Sequence, residues 1–213
     1  MTSGLFRSRL ADRSAAAGID ISPELAERLE AYYRVLSVWN AKINLTALDL
    51  HGLPDGAVDR LFIEPVAAAR FSQLERRVLD IGSGGGSPAI PFALTTQAMQ
   101  LTMVESRSRK AVFLKEAARV VGLSRVTVTN ARFEDVTAES AVENAFDVIT
   151  IRAVRIADPQ WALLRTPLTN SGAVFFFHQP GLTVPSPTEF TDVGSHQLTD
   201  HGVLSVFHVK HSR

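Results

Sequence analysis

The chain of 213 residues contains no cysteine, and its 22 Lys and Arg are balanced by 22 Asp and Glu to a net charge of zero. Without a thiol there is no disulfide scaffold, no Cys-ligated zinc or iron–sulfur site, and no reaction through a thiolate nucleophile. A neutral total argues against a non-specific polyanion binder, although charge segregated along the chain still permits a local basic face. No run approaches the roughly 18 uncharged apolar residues of a membrane span, and the arginines of the opening stretch are followed by no apolar segment. Neither a span nor a signal peptide is therefore expected, and a cytoplasmic location without a membrane partner follows. What is present suffices for a core: 46% of residues are hydrophobic and 21% charged, ordinary values for one domain with a small extension.

Residues 1–21 show no clear periodicity and read as a flexible segment. From Ser22 the pattern is helical, with Ser22 as N-cap, Pro23 at the first helical position, and Leu25, Leu29, Tyr32, Leu36 and Trp39 at spacings of three and four. A turn-rich stretch around His51-Gly52 and Pro54-Asp55-Gly56 precedes a second helix expected over Asp59 to Phe71, so that residues 22–71 form a helical extension. Residues 72–213 then alternate strands and helices. Strands are expected at Arg77–Ile81, Gln100–Glu105, Arg125–Asn130, Phe146–Ile151 and Gly172–Phe177, and helices at Pro88–Ala98, Ser108–Val121 and around Pro159–Leu168. Such alternation implies an α/β fold with a doubly wound, mostly parallel sheet. Val203–Val209 has no helix after it and is expected to return as an antiparallel edge strand.

Between the first strand and its helix lies Asp80-Ile81-Gly82-Ser83-Gly84-Gly85-Gly86-Ser87-Pro88. Glycines let the backbone turn sharply and approach a ligand, while the following helix presents free N–H groups. A P-loop would need Gly-Lys-Ser/Thr at its end, but the first lysine after the loop is Lys110. A dinucleotide fold would want a glycine or alanine where Ser87 stands, and it needs room for a pyrophosphate. An acidic residue two positions before Gly-x-Gly-x-Gly suits instead the cationic end of S-adenosylmethionine, which Asp80 can face. Glu105, at the end of the second strand, can accept hydrogen bonds from ribose hydroxyls, and Phe133-Glu134-Asp135 offers an apolar surface beside carboxylates for an adenine ring. A nucleoside-containing ligand is the consistent reading.

Several segments resemble the RsmG family, also called glucose-inhibited division protein B. They are Trp39-Asn40 with Asn44-Leu45-Thr46, Arg60, the Val78–Gly86 loop, Val104-Glu105-Ser106-Arg107-Ser108-Arg109-Lys110, Phe113-Leu114, Arg132-Phe133-Glu134, and Phe146 through Arg152-Ala153-Val154. The resemblance implies a Rossmann-like class I methyltransferase with a seven-stranded sheet and an N-terminal helical extension. It also implies methylation of N7 of a guanine in 16S ribosomal RNA of the small subunit, with S-adenosylmethionine converted to S-adenosylhomocysteine. The cofactor site it implies comprises Asp80, Gly82, Ser83, Gly84, Gly86, Ser87, Glu105, Phe133, Glu134 and Arg152. Arg132, Arg152 and His178 would position the substrate base, and Arg60, Arg107, Arg109, Lys110 and Arg132 would meet RNA. The chain departs from the family where Leu61 follows Arg60, where Glu64-Pro65 replaces Asp-Ser, where Ser87 and Ala89 stand for a larger apolar residue and a glycine, and where His178-Gln179-Pro180-Gly181 stands for the usual Lys-Gly.

The chemistry is consistent with this. Guanine N7 carries a free lone pair, so transfer needs positioning more than a general base. Attack through C5 of a pyrimidine would need a cysteine. Amino-group methylation typically uses Asp/Asn-Pro-Pro-aromatic after the fourth strand, whereas Asp158-Pro159-Gln160-Trp161 reads as a helix start. Lys115 and Arg119 read as a solvated helix face, and Arg125 belongs to the same basic stretch. His196, His201, His208 and His211 lack a ligand pattern, so no metal is expected, and the protein is expected to act as a monomer. Two alternatives stay open: a methyltransferase acting on another RNA or a small molecule, and a nucleoside-binding protein without catalysis.

Overall fold

A computed structural model describes residues 3–74, 76–182 and 187–210. Seven strands form one sheet in the order β3-β2-β1-β4-β5-β7-β6, with β1 Arg77–Ile81, β2 Gln100–Val104, β3 Val126–Thr129, β4 Phe146–Arg152, β5 Leu168–His178, β6 Phe190–Thr199 and β7 Gly202–Val209. The first five run parallel, and β7 pairs antiparallel with both β5 and β6. Their near-continuous apolar runs follow from burial on both faces. Val78, Met103, Val148, Phe175 and Phe177 join one core with the N-terminal helices. Leu79, Ile81, Val104, Ile151 and Phe176 join the other beneath Trp161. Because β1 lies between β2 and β4, the chain reverses its winding there, and the carboxyl ends of these strands open a crevice of the kind that binds ligands.

The helices are α1 Ser3–Ala16, α2 Pro23–Ile43, α3 Asp55–Val58, α4 Glu64–Ala68, α5 Ala89–Thr96, α6 Ser108–Val120, α7 Phe133–Thr137 and α8 Asp158–Arg165. The Ser22 hydroxyl accepts from the Leu25 N–H at 3.2 Å and so caps α2 as its sequence requires. Asn44 ends α2 in a left-handed conformation (φ 51°). The Asn40 carboxamide then accepts from the N–H groups of Leu45 at 2.7 Å and Thr46 at 2.8 Å, which turns the chain toward the crevice. This is the physical content of the Asn40…Asn44-Leu45-Thr46 pattern.

Three expectations are corrected. The flexible segment is in fact ordered over α1, where Phe6 and Leu10, one turn apart, are 1% and 2% exposed. Arg13 there grips the fully buried Asp59 with two hydrogen bonds of 2.8 and 2.7 Å. Three arginines and an alanine run leave its apolar period too sparse to read. The helix expected over Asp59–Phe71 starts earlier, at Asp55, and is interrupted by a π turn, Asp59–Ile63, before α4 and a 3₁₀ turn, Ala69–Phe71. Finally, β7 is an interior strand, and the edge belongs to β6. Its face is mostly exposed and polar, and its ladder is irregular around Gly194 and Leu198, so it carries no apolar alternation. His211 lies outside the described residues. No helix among the described residues is long and apolar enough to cross a membrane.

Candidate functional site

The loop after β1 is fixed by backbone. The N–H groups of Gly82 and Ser83 both reach the Val104 carbonyl, at 2.9 and 3.0 Å, which ties the loop to the end of β2. Gly82 has φ +70°, and a Cβ there would lie 2.4 Å from Val154 Cγ2. A side chain is therefore excluded by conformation and by space. Val154 reaches this position because Ala153 adopts φ 56°, a costly conformation for a residue with a Cβ, just beyond β4. From behind, the α2 residue Tyr32 donates its hydroxyl to the Gly85 carbonyl at 2.5 Å and sits against Gly86. Burial pushes the Tyr32 phenol far up, so it remains a donor.

Two carboxylates organise this half. Glu105 accepts from the Gly84 N–H at 2.9 Å and the Arg107 N–H at 2.8 Å, and each oxygen keeps a lone pair for a further donor. Asp80 is 1% exposed and accepts from the Thr150 hydroxyl at 2.5 Å, while its Oδ2 has no partner among the described residues. Burial raises the Asp80 carboxyl to about 6.

The opposite wall is built from side chains. Arg152, at the end of β4, donates to Glu64 Oε2 at 2.6 Å, to Ser87 Oγ at 3.2 Å and to the Arg60 carbonyl. Its guanidinium lies 4.6 Å from the Phe177 ring centroid. Burial pulls the Arg152 guanidinium down to about 10, against the pull of Glu64. Ser87 donates to the Leu61 carbonyl at 3.0 Å, with the Arg60 carbonyl 3.3 Å away. Arg152 thus spans the π turn, holding a carbonyl near its start and the carboxylate that follows it.

A cavity of about 380 Å³ lies between the two walls. Of the residues singled out from sequence, Gly82, Ser83, Gly84, Ser87, Glu105 and Arg152 line it together with Arg60, Arg107 and Lys110. Asp80 lies beneath the loop, and Gly86 is packed against Ile90, Tyr32 and Leu114. Phe133 is half-buried at the start of α7, and Glu134 accepts from Gln160 at 2.7 Å. Arg109 and Arg132 are exposed and off the lining. His178 lies on the other sheet face from Arg152: it stacks on Phe176 and contacts Ser205 Oγ at 2.8 Å. Arg119 pairs with Glu116 on the exposed face of α6. Leu45, Thr46, Leu48, Leu61 and Ala153 also line the cavity, and Tyr32 and Glu64 brace it. Leu45, Thr46 and Ala153 lie in segments that carry the family resemblance and Leu61 at a departure from it, but none was assigned to the site from sequence.

The glycine loop lacks the Cβ atoms that would fill the crevice, Glu105 offers acceptors at its rim, and Asp80 carries a spare buried acceptor. These features fit a nucleoside-bearing cation.

Comparison with solved structures places the fold among class I methyltransferases. A candidate O-methyltransferase from Klebsiella pneumoniae superposes with a TM-score of 0.58 at 18% identity, covering 91% of this chain and 92% of that one. TYW2 of M. jannaschii, determined in complex with AdoMet, gives 0.55 at 14% identity over 74% and 78%. A family model described as "rRNA small subunit methyltransferase G" matches residues 25–180, and the chain belongs to that family. Ribosomal RNA small subunit methyltransferase G of Neisseria meningitidis is 37% identical over 153 residues, 69% of this chain and 67% of that protein. The Streptococcus sanguinis protein of the same name is 32% identical over 146 residues, 66% and 59%.

Proposed function

We propose that the chain transfers the methyl group of S-adenosylmethionine to N7 of a guanine in the 16S RNA of the small ribosomal subunit. The observation that carries the reading is a single cavity at the β1/β4 switch point that joins a backbone-built loop and Glu105 to the cationic side chains of Arg60, Arg107 and Lys110. Family membership supports it.

When bound, the cofactor supplies a methyl carbon activated by a positive sulfur. Glu105 would hold the ribose hydroxyls with its remaining lone pairs, and the Gly82–Gly84 backbone would lie against the ligand where side chains would block it. Phe133 and Glu134 follow β3 at the same end of the sheet and would border the adenine. N7 attacks with its own lone pair, so no residue has to remove a proton. What the protein contributes is distance and alignment. A donor aimed straight at N7 would compete for that lone pair. Arg60, Arg107, Arg109, Lys110 and Arg132 therefore serve the RNA better through phosphate or O6 contacts. Arg152 is held by Glu64 and shapes the wall.

Incubation with small subunits lacking the modification and with methyl-labelled cofactor, followed by nucleoside analysis, tests the reading. Label in N7-methylguanosine is expected. Label at another position, in another RNA or in no RNA would overturn it.

A further inference from the structure

Glu64 makes a buried ion pair whose geometry is not that of a stabilising fork. Its Oε2 meets one nitrogen of Arg152 at 2.6 Å, while Oε1 is buried with no partner among the described residues. A carboxylate seeking stability alone would take both guanidinium nitrogens. Here the second nitrogen is spent on the Arg60 carbonyl and Ser87 Oγ. A buried pair with an orphaned oxygen is weak evidence for stability and better evidence for a fixed position.

A second observation comes from the other end of the sequence. Gly202, the first residue of β7, sits so close to Glu64 that a Cβ there would lie 2.2–2.7 Å from the carboxyl group. Its backbone needs no left-handed conformation, so the glycine is required by that approach alone. The β6–β7 hairpin is held to the helical layer by the stack of His196 on Phe71, at 4.1 Å. Gly202 therefore caps the carboxylate and closes off other positions for it.

Resting on the methyl-transfer reading, we infer that Glu64 is a positioning residue: capped by Gly202, it aims Arg152 so that the Arg60 carbonyl and Ser87 form the substrate-side wall of the cavity. The loop meets this pair only at Ser87, while Gly82, Ser83, Gly84 and Glu105 are held by the end of β2 and by one another. Glu64 follows Arg60, and the pairing links the π turn to the end of β4.

The test uses the full chain carrying ¹⁵N-arginine, with the Arg152 Nη–H signals assigned by their loss in Arg152→Lys. In the wild type the protons held by Glu64, Ser87 and the Arg60 carbonyl are expected to exchange slowly with water. In Glu64→Gln and in Gly202→Ala, which leaves Glu64 and Arg152 in the sequence, exchange is expected to quicken at least about ten-fold as the aim is lost. Cofactor affinity by calorimetry should stay within about two-fold, while kcat/KM for the RNA falls about ten- to a hundred-fold, as small misplacements do. The double variant Glu64→Gln/Arg152→Lys should be no worse than the poorer single variant. An unchanged Arg152 signal, a parallel loss of cofactor affinity, or additive losses would overturn the inference. A wild-type chain that transfers no methyl to RNA would instead refute the functional reading, and the exchange measurement would still decide the role of Glu64.

Discussion

The two walls of the cavity are made by different means. The loop wall is backbone: Gly82 and Ser83 hang from the Val104 carbonyl, and Gly84 donates to Glu105. The facing wall is a side-chain network in which Arg152 reaches Glu64, Ser87 and the Arg60 carbonyl. The backbone wall is tight at Gly82 and Gly86, where a Cβ would lie under 3 Å from a neighbour. A wall of buried charges has some room for change in shape and none for the loss of a partner. The first suits a ligand that is always the same, and the second suits a wall that must be held in register with a large substrate.

The sharpest way to break this contrast is Gly82→Val, which adds a branched side chain at φ +70° against Val154. Cofactor affinity is expected to fall about a hundred-fold or more, about 2.7 kcal/mol. On the facing wall, Arg13→Ala strands Asp59, which is fully buried where the π turn begins. Chemical denaturation should register a loss of about 3 kcal/mol. Tyr32→Phe removes the prop behind the loop and leaves the Gly85 carbonyl short of a donor. About 1–2 kcal/mol of stability should go with it, together with a several-fold weaker cofactor affinity.

A pH dependence adds to these. Burial raises the folded-state value of Asp80 to about 6 from its ordinary 3.8. Its charged form is thus disfavoured by folding, so stability is highest where Asp80 is protonated in both states and falls as pH rises between about 4 and 6. Asp80→Asn removes that fall. Unfolding titrations at several pH values should show the wild type losing ground to the variant across that window and running parallel above it.

The contrast also explains what could be read from the sequence. The loop wall was legible because glycines at a strand end have few other uses, and the order Asp80, Gly82, Gly84, Glu105 lies within one strand–helix–strand unit. The parallel sheet was legible because strands buried on both faces are continuous apolar runs. The facing wall was not. Glu64 and Arg152 are far apart in the chain, neither carries a local signal of the other, and Glu64 stood out only as a departure from the family pattern. Arg152 was named for the cofactor and substrate, and its closest partner is a buried carboxylate. The same blindness to distant partners hid α1, whose Phe6 and Leu10 are buried in the core and whose Arg13 pairs with Asp59, and left β7 at the sheet edge, because the strand that covers it is polar.

The central claim is that one wall holds the cofactor and the other aligns the substrate. Calorimetric titration of S-adenosylmethionine into the wild type, Gly82→Val and Glu64→Gln chains tests it most directly. Saturable binding of similar affinity is expected for the wild type and Glu64→Gln, and binding weaker by about a hundred-fold or more for Gly82→Val. Wild-type affinity in Gly82→Val, or its loss in Glu64→Gln, would contradict the account.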